Sequence, residues 1–217
     1  MLYNVLYPLV SEINAFNLFR YITFRTGGAI LTALLVSFVV GPPLIRWLKK
    51  MQRDGQPIRE DGPKSHLVTK KGTPTMGGVL ILLAITVSTL LWADLSNQYV
   101  WVSLFVTISF GTIGYLDDFR KLTRRSHKGL PGRLRLVLEV IICLAAMIWI
   151  INIGRESLAM GLAVPFIKTI LVPLGWMILP WAALVIVGAS NAVNLTDGLD
   201  GLAIMPVIIA AACFAVI

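Results

Sequence analysis

Two adjacent carboxylates, Asp117 and Asp118, stand at the end of an apolar run and are followed at once by Phe119-Arg120-Lys121. At a helix C-terminus they meet the negative end of the dipole and repel each other, which is usually tolerated when a cation offsets them. The competing reading is an interfacial acid pair neutralised by Arg120, Lys121 and Arg124. A second polar cluster runs from Asn191 to Gly201 and spaces Asn191, Asn194, Asp197 and Asp200 at intervals of three. In a helix that spacing sets them along one face, whereas Gly198 and Gly201 favour a loop. Hard oxygen donors of this kind suit Mg²⁺, which keeps waters and is shared with substrate phosphates. A polar loop with capping Asp and Asn is the plainer alternative. A third run, Lys70-Lys71-Gly72-Thr73-Pro74-Thr75-Met76-Gly77-Gly78, joins a basic stretch to an apolar one. Thr73 or Thr75 is expected to cap the helix that starts there, whose free N–H groups can receive an anion. No Walker A order occurs in the chain. His66 and His127 stand alone in basic stretches and read as solvated, and Glu139, four residues after Arg135, reads as one half of a snorkelled ion pair.

The elements that position these residues are apolar runs. The 217 residues are 57% hydrophobic and 14% charged, with mean hydropathy +0.80, against about 25% charged in a soluble domain. Runs at Gly27–Leu48, Met76–Trp92, Tyr99–Leu116, Leu136–Ile153, Ile170–Ala189 and Leu202–Ile217 approach the ~20 residues that cross a ~30 Å hydrocarbon layer. The expected fold is an all-α polytopic membrane bundle of about six spans, forming a single transmembrane domain over residues 1–217. Residues 1–21 read as an exposed or interfacial lead-in. Pro173 and Pro180 suggest an offset start and a kink in the fifth span. Cys143 and Cys213 fall inside apolar runs and are expected to be buried thiols, not a disulfide or zinc site.

The net charge of +8 raises nucleic acid as a partner, but its distribution argues for a membrane. Fifteen of the 19 Lys and Arg fall between Arg46 and Lys71 or between Arg120 and Arg135. This is the positive-inside pattern. It places loops at about 49–75, 117–135 and 190–201 in the cytoplasm and the N-terminus outside. The segment Gly154–Thr169 then lies outside, where Gly161 and Pro165 make a hairpin or interfacial stretch plausible. All three polar clusters meet at one membrane face. Carboxylates for Mg²⁺, lysines and a helix N-terminus for phosphates, and adjacent lipid together favour phosphoryl transfer, which needs positioning and charge neutralisation more than covalent machinery. An ion-coupled transporter would place its acids near the midplane, and a non-catalytic lipid-binding scaffold would not depend on Asp117.

The three clusters, in this order, resemble those of the phospho-N-acetylmuramoyl-pentapeptide transferase family, from about Phe16 onward. The Thr73-Pro74-Thr75-Met76-Gly77-Gly78 run favours it over the related transferases that load N-acetylglucosamine phosphate. The resemblance implies Mg²⁺-dependent transfer from UDP-N-acetylmuramoyl-pentapeptide to undecaprenyl phosphate, releasing UMP, at a bacterial inner membrane. It implies that Asp117 and Asp118 are the catalytic acid pair, Asp117 binding or deprotonating the lipid phosphate. It also implies that Lys70, Thr75, Asn191, Asn194, Asp197 and Asp200 bind the nucleotide side, and that Asp117, Asp118 and Asp197 serve the metal. The family is longer, with ten spans, and often dimeric; a third aspartate and a histidine-rich loop lie beyond the last residue here. The final run of 16 residues covers roughly 24 Å, short of the ~30 Å core. The chain is therefore expected to be an N-terminal fragment with little activity alone.

Overall fold

The computed structural model describes residues 1–52, 74–124, 129–154, 160–164, 167, 170–196 and 202–216. Each of the six apolar runs contains a helix, and the helices are α2 Ile22–Met51, α3 Gly78–Trp92, α4 Gln98–Thr123, α5 Gly132–Ile153, α6 Ile178–Thr196 and α7 Ile204–Val216. A short α1, Leu2–Leu6, precedes them. Counting the 3-10 turn Gly175–Met177 with α6, four are long and apolar enough to cross a membrane, and α3 and α7 are shorter, at 15 and 13 residues. The all-α polytopic expectation stands. The chain forms two compact units, Met1–Arg135 and Leu136–Ile217, with the first turn of α5 in the first.

In the first unit, α3 packs against both α2 and α4. The contact between α2 and α3 is close because Gly28 has no side chain: a β-carbon there would overlap the Trp92 ring. Trp92 stacks on Phe19 with centroids 5.9 Å apart and meets Phe24 edge-on at 6.0 Å. Its Nε1–H donates to Thr32 Oγ1 at 2.8 Å, and that hydroxyl donates to the Gly28 carbonyl at 2.8 Å. The indole's one polar atom is thereby satisfied inside an apolar contact. Leu31, Leu35 and Phe38 of α2 are exposed at near-helical spacing among the described residues, as a lipid-facing stripe is.

The α3–α4 turn is built by side chains. Asp94 Oδ1 accepts from Ser96 N–H at 3.0 Å, Ser96 Oγ at 2.6 Å and Asn4 Nδ2 at 3.0 Å. Asn97 caps α4 by accepting from Tyr99 N–H at 3.0 Å. Through Asn4, the lead-in is docked on this turn; it is made of α1 and two 3-10 segments, Tyr7–Ser11 and Asn14–Arg20.

In the second unit, β1 Gly161–Ala163 pairs antiparallel with β2 Leu171–Pro173, so a hairpin does occupy the link before α6. It takes residues that the apolar run had assigned to the fifth span. Pro173 ends β2, and α6 begins later, at Ile178. Pro180 falls in the first turn of α6, where its missing N–H leaves no bond broken and no kink is required. Cys143 is buried as expected, but Cys213 is exposed.

Candidate active site

The site in the first unit starts from helix geometry. Asp117 and Asp118 do not close their helix; α4 continues to Thr123. The reason is local: Lys121 is four residues after Asp117 and three after Asp118, so its ammonium reaches both carboxylates. Its Nζ lies 2.5 Å from Asp117 Oδ2 and 3.3 Å from Asp118 Oδ1. The helix survives the acid pair because the next turn supplies the counter-charge.

The two remaining oxygens are bound by other segments. Asp117 Oδ1 accepts the Leu130 N–H at 2.6 Å. The backbone comes this close because residue 129 is glycine; a β-carbon there would overlap the Asp117 carboxylate. Asp118 Oδ2 accepts from Thr75 Oγ1 at 2.6 Å. All four carboxylate oxygens thus have a donor, and both side chains are partly exposed, at 16% and 29%. A site that must admit ligand from one side needs both properties.

Thr75 does not cap α3, contrary to the sequence expectation. The N-cap residue is Gly77, with no side-chain cap, and the Thr75 hydroxyl is committed to Asp118. Thr73 and Lys70 lie outside the described residues, as do Asp197 and Asp200. The Asn191–Gly201 cluster is helical from Asn191 through Thr196. Asn191 is half-buried and Asn194 is exposed.

Glu139 differs from its expected placement. It does not snorkel: it is 1% exposed, and its Oε2 accepts from Asn191 Nδ2 at 2.6 Å. Asn191 Nδ2 also donates to the Val187 carbonyl at 2.9 Å. Two acceptors on one side fix the amide's orientation and turn Asn191 Oδ1 away from them. The intramembrane acid was a visible signal; its partner, 52 residues on, was not.

The donor set suits a hard divalent cation. Two carboxylates against one ammonium leave one net negative charge beside the Thr75 hydroxyl, and Mg²⁺ is typically held by one or two carboxylates together with substrate phosphates. Among the described residues, no three His, Cys, Asp or Glu gather into a complete cage. Asp117 and Asp118 are the residues that would hold such an ion.

Apolar spans and an anchored acid pair define the chain as a polytopic integral membrane protein with a polar site at a helix end. Residues 100–217, more than half the chain, match glycosyl transferase family 4. The chain belongs to that family. Residues 70–82 match phospho-N-acetylmuramoyl-pentapeptide-transferase signature 1. Over all 217 residues the chain is 60% identical to a phospho-N-acetylmuramoyl-pentapeptide-transferase of Granulibacter bethesdensis, and it spans 60% of that relative's length.

Proposed function

We propose that this chain belongs to a phospho-N-acetylmuramoyl-pentapeptide transferase that works at the cytoplasmic face of a bacterial inner membrane. The donor is UDP-N-acetylmuramoyl-pentapeptide and the acceptor is undecaprenyl phosphate. An oxygen of the lipid phosphate attacks the phosphorus that bears the sugar. The bond from that phosphorus to the bridging oxygen breaks, UMP leaves, and a lipid diphosphate-linked sugar remains. The observation that carries this reading is the acid pair, with every carboxylate oxygen held, beside a residue of the matched signature, Thr75.

A phosphate monoester has its second pKa near 6 and is mostly dianionic at neutral pH. The attacking group therefore requires orientation and charge neutralisation more than a strong base. Asp117 and Asp118 supply fixed acceptors, and Lys121 supplies a positive charge within reach of both. Bound Mg²⁺ would neutralise charge on the phosphate oxygens as the diphosphate bond breaks. Asn191 is held by Glu139 with its carbonyl free of that pair, which suits a group that reads the nucleotide side. The homodimer of the longer family belongs to the same proposal.

The test is Mg²⁺-dependent UMP release in detergent with undecaprenyl phosphate. It compares the 217-residue chain, a longer protein that continues this sequence, and that protein carrying Asp117→Asn. The expected result is release by the longer wild type and loss in Asp117→Asn, with little or none from the shorter chain. Release with UDP-N-acetylglucosamine in place of the muramoyl donor would move the assignment to the sister transferases.

A further inference from the structure

Gln52 directly follows α2 and is 23 residues from Thr75 in sequence. Its side chain grips the Thr75 backbone at two points. Oε1 accepts the Thr75 N–H at 2.9 Å, and Nε2 donates to the Thr75 carbonyl at 3.3 Å. Only an amide side chain offers a donor and an acceptor in this arrangement, and asparagine carries it on a shorter stem.

The next residue shows why a grip is needed. Met76 has φ +73°, a left-handed conformation that is uncommon for a side chain of its size. Such a conformation persists when its surroundings over-determine it. On one side Gln52 fixes Thr75. On the other, the first turn of α3 fixes Met76 and Gly77, whose carbonyls accept from Val79 N–H at 3.2 Å and Leu80 N–H at 3.1 Å. The outcome is the Thr75 hydroxyl 2.6 Å from Asp118 Oδ2.

We propose that Gln52 is a positioning residue for the acid pair: it locks the Thr75 backbone so that the Thr75 hydroxyl orients the Asp118 carboxylate. This rests on the transferase reading above. Gln52 acts through Thr75, so its removal changes how the acids are held.

The experiment measures UMP release by the full-length protein and its Gln52→Leu, Gln52→Glu, Thr75→Val and Gln52→Leu/Thr75→Val variants. Gln52→Leu is expected to lower kcat roughly tenfold, the scale of one lost hydrogen bond. The KM for the donor should stay within about twofold. Gln52→Glu keeps the acceptor and should recover part of the loss. In the Thr75→Val background, Gln52→Leu should add almost nothing, because both changes break the same chain of contacts. Fully additive losses, or a change in KM alone, would overturn the inference. Amide hydrogen exchange provides an arm independent of turnover. The Thr75 amide should exchange faster in Gln52→Leu, and an unchanged rate would mean the grip does not exist. A wild type without turnover would instead overturn the transferase reading, and with it the catalytic consequence drawn here.

Discussion

Thr75 stands between two readings of one residue type. From the sequence it is a helix cap; in the fold its hydroxyl serves Asp118, 43 residues away. Local spacing announces a cap because capping is a local event, whereas nothing local can announce a partner brought in by the packing of α3 on α4. Removing the hydroxyl should therefore leave α3 intact and damage the site. Thr75→Val is expected to reduce UMP release by about ten- to a hundredfold, the range for a lost hydrogen bond to a charged group, with an unchanged melting temperature. Thr75→Ser should retain most of the rate. The acid pair and Asn191 were legible as residue types, and Lys121 as one of three candidate counter-charges. Gln52 and the Leu130 N–H were not, since a lone glutamine and a main-chain donor carry no pattern of their own.

At the scale of elements, the apolar runs located every long helix but not its ends. α2 overshoots its run by three residues and α4 by about two turns at their C-terminal ends, carrying Lys49 and Lys50, and Arg120 and Lys121, on helix instead of loop. Hydropathy detects where lipid begins; backbone hydrogen bonding stops elsewhere. The contact between α2 and α3 depends on the missing side chain at Gly28. Gly28→Leu should force the Trp92 ring aside and cost about 1–3 kcal/mol, read as a lower melting temperature in detergent, while the Asp118 site stays intact. The α3–α4 turn makes a pH-dependent contribution. The Ser96 hydroxyl, followed by Asn4 and the Ser96 N–H, holds the Asp94 carboxyl below its ordinary range. A depressed carboxylate stabilises the fold fully above its unfolded pKa, about 3.9, and that contribution is lost as pH falls through the lower folded value. The melting-temperature difference between wild type and Asp94→Ala should be constant from pH 7 to about 5 and shrink below about 4.

For the whole molecule, the distribution of basic residues predicts an orientation that can be measured directly. In a Cys143→Ser/Cys213→Ser background, Ser96→Cys should react with a membrane-impermeant maleimide in cells with permeabilised outer membranes. Arg124→Cys should react only after the inner membrane is opened. The reverse pattern would invert the topology and put the acid pair on the wrong side for a cytoplasmic nucleotide. Hydropathy located the spans but not how far each helix extends beyond the lipid, and that distance has a consequence of its own. α2 has 30 residues, about 45 Å of helix against a hydrocarbon layer of about 30 Å. Its apolar run, Gly27–Leu48, accounts for about 33 Å of that, so the surplus is polar helix end that reaches into the interfaces, with Gln52 directly after the last turn. A change in bilayer thickness that tilts α2 would move Gln52 and, through Thr75, the acid pair. Turnover in vesicles should vary with acyl-chain length, and that variation should flatten in Gln52→Leu, where the lever has lost its grip.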